Sequence, residues 1–170
     1  MISKTIIQNF ATLGIGAAET LRRANESLCA QNKMEMFVTT WISILEIPTG
    51  KMTCANAGHE YPALYHDGKY ELFKDKHGFV LGGMEGARYR EYEILLGKGD
   101  KIFVYTDGVP EATNENSELF GTDRMMAALN TAVNADPEET LRIVRSAVDG
   151  FVGSAEQFDD LTMLCLEYRG

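Results

Sequence analysis

Short runs of β-branched and aromatic residues, each ended by a turn that contains glycine or proline, constrain the fold of this chain more than any other feature. Residues 36–47 form one such run, which is followed by Pro48-Thr49-Gly50 and by a second extended run at residues 51–57. Runs of this kind are typical of strands, and short turns between them indicate antiparallel hairpins. The pattern therefore predicts a largely antiparallel sheet that contains this first hairpin.

Two further hairpins and a closing strand are predicted by the same pattern. Residues 62–65 pair with residues 70–73 across a turn at Asp67-Gly68, and residues 90–96 pair with residues 101–105 across a glycine-rich turn. Residues 161–168 then form the last strand of the chain.

Helical segments are predicted at both ends of the chain. Apolar residues recur at helical spacing over residues 2–13 and 17–28, and again at Met126, Leu129 and Val133. Asp136-Pro137-Glu138-Glu139 is a strong helix start, because an N-cap aspartate is followed by proline at the first helical position. In that last helix the residues expected to face the core are Leu141, Val144, Val148 and Phe151. The fold class is therefore α+β, with helices packed on an antiparallel sheet.

Composition excludes several classes of protein. The 170 residues are 45% apolar, which suits one globular domain over residues 1–170, and no apolar run approaches the roughly 18 residues of a membrane span. No secretory signal opens the sequence. A net charge of −9 disfavours nucleic acid and anionic membranes as partners. The three cysteines (Cys29, Cys54 and Cys165) have no metal-type spacing, so we expect reduced buried thiols in a cytoplasmic protein.

Two acidic clusters lie where apolar strands end or begin. Asp107-Gly108 follows the strand at residues 101–105, and Asp159-Asp160 precedes the closing strand. Carboxylates held at strand ends provide the oxygen ligands that Mg²⁺ and Mn²⁺ prefer. Asp-Gly is also one of the commonest turn dipeptides, and paired aspartates are common in solvated loops. The residues alone leave both interpretations open.

Histidines and glycines offer weaker candidates. His59 suits either an acid–base role or a hydrogen-bonded turn, whereas His66 and His77 lie among turn residues and are expected at the surface. No serine or cysteine has the surroundings of an activated nucleophile. The glycine-rich segment Gly82-Gly83 lacks the strand-to-helix setting of a phosphate-binding loop.

Taken together, several segments resemble the metal-dependent protein phosphatase (PPM) family in its bacterial SpoIIE-type branch of sigma-factor regulators. Their order, spacing and flanking strands agree over nearly the whole chain. The matching segments are Met36-Phe37-Val38-Thr39, Asn56-Ala57-Gly58-His59 with Pro62, Leu81-Gly82, Gly99-Asp100, Tyr105-Thr106-Asp107-Gly108, Glu111-Ala112, Phe120-Gly121 and Asp159-Asp160-Leu161-Thr162.

The resemblance implies an α-β-β-α sandwich of two antiparallel sheets flanked by helices, with a two-metal Mg²⁺ or Mn²⁺ centre. It implies hydrolysis of phosphoserine or phosphothreonine on a regulatory partner protein, such as an anti-sigma-factor antagonist. Metal-bound water acts in this family, so no side chain is expected to be catalytic. Asp107 and Asp159 match the family's metal ligands, Gly108 matches the glycine beside the metal centre, and Asp160 matches a supporting position. The resemblance places His59 in a signature turn without a catalytic role.

Two motifs of the family are missing from this sequence. The Gly-Gly-Asp-aromatic-aromatic-Asp strand and the following Asp-Gly/Ser-x-Gly-His/Lys-Gly loop, which supply further metal ligands, do not occur. The resemblance therefore implies an N-terminally truncated domain with one weakly held cation or none, and little or no activity. We also expect a homodimer through the exposed sheet edge formed by residues 36–47. The alternatives are a non-catalytic binding module that retains the partner-docking surface, and an unrelated small α+β domain with two acidic turns.

Overall fold

The computed structural model describes residues 2–31, 36–156 and 159–170 of the chain. In these ranges the chain forms two helices, six strands, two more helices and a last strand. They are α1 (Ile2–Ala11), α2 (Ala17–Gln31), β1 (Thr40–Glu46), β2 (Lys51–Ala57), β3 (Ala63–His66), β4 (Lys69–Leu72), β5 (Glu91–Leu95), β6 (Lys101–Tyr105), α3 (Gly121–Thr131), α4 (Pro137–Val152) and β7 (Met163–Glu167). This mixture of helices and antiparallel strands confirms the α+β class.

The chain divides into two compact units. The first unit consists of Met1–His59 and Asp75–Leu96, and the second consists of Glu60–Lys74 and Gly97–Gly170. None of the helices within the described ranges is both long and apolar enough to cross a membrane.

The first unit contains an antiparallel sheet in the order β1-β2-β5, on which α2 packs. The β1–β2 hairpin pairs Thr40 with Ala57 and Glu46 with Lys51, as the turn signal between these strands predicts. Small side chains on α2 and β2 let the helix approach the sheet closely. The buried cluster consists of Ala17, Leu21, Ala24, Ala55, Ala57 and Leu81.

The second unit contains an antiparallel sheet in the order β4-β3-β6-β7, with α3 and α4 packed on it. Strand β6 is buried at four of its five positions, so it forms the centre of this core. The buried cluster consists of Ala63, Tyr70, Phe103, Tyr105, Val109, Phe120, Met125, Leu129, Val144 and Val148.

Helix α4 begins where the sequence places it. The Asp136 carboxylate accepts a hydrogen bond of 2.8 Å from the Glu139 amide, and Pro137 is the first helical residue. Val144 and Val148 are buried, and Leu141 and Phe151 pack against the same core. The predicted face of this helix is confirmed.

The predicted hairpin between residues 90–96 and 101–105 is wrong. β5 pairs with β2 in the first unit, whereas β6 pairs with β3 and β7 in the second. The residues between β5 and β6 form a short turn, in which the Asp100 amide donates a 3.0 Å hydrogen bond to the Gly97 carbonyl. A turn signal shows that the chain reverses, but burial in two separate cores decides which strands pair.

Two element boundaries also differ from expectation. The strand predicted for residues 36–47 begins at Thr40, because Thr40 pairs with Ala57 at the end of β2 and earlier residues have no β2 partner; residues 32–35 lie outside the described ranges. Val38 forms an isolated bridge with Leu81. Helix α3 ends at Thr131, so the predicted Val133 lies beyond it. Met125 is buried in the core, whereas the predicted Met126 is half-buried.

Candidate functional site

The two acidic segments of the sequence come together at one end of the second sheet. β6 and β7 are antiparallel neighbours, and Tyr105 at the end of β6 pairs with Met163 at the start of β7. Asp107, two residues after β6, therefore lies at the same end of the sheet as Asp159 and Asp160, which precede β7. The pairing of β6 with β7 thus brings the two acidic segments to the same end of this sheet.

Thr106 joins the two segments by hydrogen bonds. Its amide donates to the Thr162 carbonyl at 3.1 Å. Its hydroxyl donates to the Asp160 carbonyl at 3.2 Å and accepts from the Thr162 amide at 3.2 Å. The threonine before Asp107 thus fixes the separation of the two acidic segments through both its backbone and its side chain.

Gly108 is required by close packing rather than by its backbone conformation. A Cβ atom at this position would lie 2.5 Å from the Asp160 carbonyl oxygen and 3.1 Å from the Asp160 carbonyl carbon. Gly108 is not among the glycines with a positive φ. The sequence suggested a sharp turn here, but the structure gives a different reason for glycine: the two acidic segments touch at this point.

The carboxylates of these segments face solvent. Asp107, Asp159 and Asp160 are all exposed. Asp107 Oδ1 accepts a 3.0 Å bond from the Gly108 amide, and Asp159 Oδ1 accepts a 2.7 Å bond from the Asp160 amide. The Asp107 carbonyl accepts from the Glu111 amide at 2.9 Å, which closes the turn after β6. The hydrogen bonds to Oδ1 orient the carboxylates of Asp107 and Asp159.

The donors at this edge fit a hydrated divalent cation. Exposed carboxylate and backbone carbonyl oxygens are the ligands that Mg²⁺ and Mn²⁺ prefer. Among the residues that the structure describes, no three His, Cys, Asp or Glu side chains are grouped to hold a metal ion. The donors present therefore suit an ion that keeps water at most of its positions.

A small cavity of about 40 Å³ adjoins this edge. Sequence reasoning missed it, because its walls come from three distant segments. It is lined by Gly108, Glu111, Ala112, Thr113, Val148, Asp149, Val152, Asp159 and Leu161. Only the position of α4 beside the turn after β6 brings these side chains together.

His59 belongs to a hydrogen-bonded turn in the first unit. The Asn56 side chain accepts from the His59 amide at 2.8 Å and donates to the His59 carbonyl at 3.0 Å. Gly58 between them has a φ of +73°, which favours glycine. Of the two interpretations open for His59, this geometry favours the turn.

The other two histidines contact carboxylates that sequence reasoning did not pair with them. His66 is exposed as predicted, and its Nδ1 lies 2.9 and 3.0 Å from the two carboxylate oxygens of Asp100. The hydrogen bond to Asp100, helped by the charges of Asp100 and Asp67, raises the pKa of His66 above its usual value. His77 Nδ1 lies 3.6 Å from Asp75, whose side chain is only 3% exposed.

The three cysteines are free thiols, as predicted, but only Cys54 is buried, whereas Cys29 and Cys165 are half-buried. Burial raises the pKa of Cys54 to about 12, and burial also raises the pKa of Cys165. A thiol with a raised pKa stays protonated and is a poor nucleophile.

Comparison with known proteins gives consistent matches. The family model described as Stage II sporulation protein E (SpoIIE) matches residues 1–169. Protein IcfG of Synechocystis sp. is 28% identical over 150 residues, and Phosphoserine phosphatase RsbU of Bacillus subtilis is 30% identical over 118 residues. These matches cover 88% and 68% of this chain. The chain spans only 23% and 35% of the lengths of these two relatives.

Solved structures share the fold. The SiaA-PP2C domain of Pseudomonas aeruginosa matches with a TM-score of 0.84 at 16% identity, over 98% of this chain and 67% of that one. The RsbU and RsbW domains of Rv1364c from Mycobacterium tuberculosis match with a TM-score of 0.77 at 22% identity, over 98% and 46%. The manganese-presoaked phosphatase domain of SpoIIE from Bacillus subtilis matches with a TM-score of 0.69 at 15% identity, over 98% and 73%.

Proposed function

Because the chain belongs to the SpoIIE family, we propose that it is a PPM-type phosphatase domain that hydrolyses phosphoserine or phosphothreonine on a partner protein. The observation that carries the proposal is the contact between the turn at Thr106-Asp107-Gly108 and the segment Asp160-Leu161-Thr162. The family resemblance places metal ligands at Asp107 in the first segment and at Asp159, directly before the second, and these segments meet at one end of the second sheet.

In this proposal Asp107 and Asp159 hold a Mg²⁺ or Mn²⁺ ion. Gly108 lets the two segments approach, and the Thr106 hydroxyl holds them at a constant separation. When bound, the ion would activate water and offset the negative charge of the phosphoryl group. The family's other two metal-ligand motifs are absent from this sequence, so we propose weak binding of one ion and low turnover.

The proposed substrate is a phosphorylated regulatory protein, such as an anti-sigma-factor antagonist. The name of RsbU as a phosphoserine phosphatase supports the reaction, and the presence of RsbU and RsbW domains in one Mycobacterium tuberculosis protein supports a regulatory setting. The rival is a binding module that docks the same partner without catalysis. The lack of a three-ligand metal group within the described residues favours this rival as the second candidate.

Manganese binding tests the site directly. We expect titration calorimetry to detect weak Mn²⁺ binding that Asp107→Asn and Asp159→Asn each abolish. Asp123→Asn is the matched control, since Asp123 is an exposed aspartate in the first turn of α3. Equal binding by the Asp107→Asn and Asp159→Asn variants and the unchanged chain would overturn the site assignment.

Phosphate release separates the two functions. In millimolar Mn²⁺ we expect the unchanged chain to release phosphate slowly from a phosphoserine peptide. We expect it to hydrolyse an aryl phosphate at a rate close to that of the Asp107→Asn variant. If phosphate is released from the peptide and the Asp159→Asn substitution abolishes this release, the phosphatase function is supported. No release, together with binding of the phosphorylated partner, supports the binding module.

We also propose that the chain forms a homodimer through β1. This strand lies at one edge of the first sheet, so one side of its backbone faces away from β2. Ile44 on the strand is 41% exposed, and Phe37 before it is 64% exposed. An apolar edge of this kind favours pairing with a second copy. We expect Ile44→Lys to shift sedimentation at micromolar concentration towards the monomer, whereas Leu119→Lys, at an exposed leucine of the second unit, leaves it unchanged.

A further inference from the structure

A cluster of exposed apolar side chains lies on the surface of the first unit. Val38 and Leu81 form an isolated antiparallel bridge, in which each amide donates to the carbonyl of the other residue at 2.9 Å. The bridge brings the segment before β1 together with residues 79–84. Four large apolar side chains of these two segments are more than half exposed, and we call them the Phe79 patch: Met36, Phe37, Phe79 and Met84. Exposed apolar clusters with polar surroundings mark sites of protein–protein interaction.

The backbone of the Phe79 patch is held in place by buried contacts. The Asn25 side chain is 1% exposed, accepts from the Gly82 amide and donates to the Met84 carbonyl, each at 2.9 Å. Gly83 packs against the Phe79 ring, since a Cβ atom at Gly83 would lie 2.8 Å from Cε1 of that ring. A surface that is already ordered loses less entropy when a partner binds.

Basic residues flank the Phe79 patch, although the net charge of the whole chain is −9. Residues 76–90 carry three exposed cations and one exposed carboxylate, which are Lys76, Arg88, Arg90 and Glu85. Gly78, directly before Phe79, lies beside Arg88, because a Cβ atom at Gly78 would be 2.8 Å from the Arg88 carbonyl oxygen. The apolar patch is therefore bordered by a surface whose exposed charges are mainly positive.

The two acidic residues that adjoin residues 76–90 in the sequence are engaged in other contacts. The side chain of Asp75 is 3% exposed and accepts from the Asn56 side chain at 3.3 Å. Glu91 accepts a 3.0 Å hydrogen bond from the Ala18 amide at the start of α2. Glu85 is therefore the carboxylate that competes with an incoming acidic group for the three exposed cations.

We propose that the Phe79 patch docks an acidic amphipathic segment of the partner protein, in which apolar side chains lie beside carboxylates. The inference rests on the proposed function for the identity of this partner, but it uses none of the residues assigned to the metal site. Apolar side chains of the segment cover Phe37, Phe79 and Met84, while its carboxylates face Lys76 and Arg88. Phenylalanine, methionine and arginine are among the residue types enriched in protein interfaces.

A protein segment suits the Phe79 patch better than an anionic membrane does. A membrane presents a broad charged surface, which meets the net charge of −9 of the whole chain. A short segment responds mainly to charges within the screening distance of about 8 Å at physiological ionic strength. The local cations therefore attract an acidic segment, whereas the remainder of the chain repels an acidic surface.

Binding of designed peptides tests the docking surface without any reaction. The first fluorescent probe is an amphipathic peptide with leucine on one face and glutamate on the other. The second probe has lysine in place of every glutamate, and the third has alanine in place of every leucine. Fluorescence anisotropy is measured during titration with the unchanged chain. We expect the leucine–glutamate peptide to bind about tenfold or more tightly than either of the other two.

Two substitutions in the Phe79 patch and its basic border assign the binding to this surface. Phe79→Ser should weaken binding of the leucine–glutamate peptide about tenfold, whereas Leu119→Ser, at an exposed leucine of the second unit, should not. Arg88→Glu should weaken the same peptide about threefold and strengthen the leucine–lysine peptide, a gain that loss of structure cannot produce. Lys98→Glu makes the same charge reversal at an exposed residue of the second unit and should leave both affinities unchanged.

The possible results separate this inference from the proposed function. Equal binding of the glutamate and lysine peptides, or binding that Phe79→Ser leaves unchanged, overturns the inference even if phosphate is released from phosphoserine substrates. Two further results also overturn it: phosphatidylserine vesicles bind through Phe79 while the peptides show no preference, or Phe79→Ser abolishes self-association alone. A glutamate preference that both patch variants reduce supports docking even if no phosphate is released, in which case the proposed reaction is the part that fails.

Discussion

Gly108→Ala tests whether contact between the two acidic segments makes glycine necessary at this position. The new Cβ would start 2.5 Å from the Asp160 carbonyl oxygen, closer than the 3.0 Å that real Cβ contacts respect. The segments would have to separate by roughly 0.5–1 Å, which strains the hydrogen bonds of Thr106. Overpacking of this kind destabilises a folded protein by about 1–3 kcal/mol. Replacing glycine with alanine also lowers the entropy of the unfolded chain, which stabilises the folded state by about 0.4–1 kcal/mol. We expect a net loss of about 1–2 kcal/mol.

Gly150→Ala provides the matched control. Gly150 lies in α4, and a Cβ atom there would meet nothing within 4 Å. Alanine in a helix is favoured over glycine by about 0.5–1 kcal/mol, so this variant should be more stable than the unchanged chain. The same substitution is therefore expected to change stability in opposite directions at the two positions.

Urea denaturation followed by circular dichroism measures both variants. With a slope of about 2 kcal/mol per molar urea, the Gly108→Ala midpoint should fall by about 0.5–1 M. If Gly108→Ala unfolds at the same urea concentration as the unchanged chain, while Gly150→Ala is stabilised as expected, the packing argument for Gly108 is refuted.

Two further predictions concern side chains that hold loops in place. The Asn25 side chain donates to the Met84 carbonyl and accepts from the Gly82 amide, each at 2.9 Å. Asn25→Ala should therefore lower the free energy of unfolding, measured by urea denaturation, by roughly 2–3 kcal/mol. A loss below about 1 kcal/mol would contradict this role. The hydrogen bond to Asp100 raises the pKa of His66 above 6.5. The stability that this interaction adds to the folded chain is therefore fully present below pH 6.5 and is lost as the pH rises through the raised pKa. Between pH 6 and pH 8 the unchanged chain should therefore lose more stability than His66→Gln, and parallel pH profiles would disprove the coupling.

Features carried by neighbouring residues could be predicted from the sequence. The start of α4 at Pro137 follows from the Asp136 cap, and the β1–β2 hairpin follows from a turn and its two flanking runs. The likeness of Asp107 and Asp159 to metal ligands also depends on short motifs. In each case the relevant physics acts over a few residues of the chain.

Features that depend on distant residues could not be predicted in this way. Lys101 lies in a strand and is only 6% exposed, because its Nζ donates to the Val133 and Ala135 carbonyls after α3 at 3.2 and 2.5 Å. The same Nζ lies 4.6 Å from the centre of the Tyr65 ring. No pattern around residue 101 identifies these partners.

By itself, the sequence determined the α+β class, two of the three predicted hairpins, the start of α4, and the two acidic segments that resemble the SpoIIE-type family. Only the tertiary structure decided that β5 and β6 join different sheets, that Gly108 is packed against Asp160, and that Glu111 lines a cavity with residues of α4. The reason is physical: caps and turns are set by adjacent backbone groups, whereas strand partners and cavities depend on which apolar surfaces are buried together.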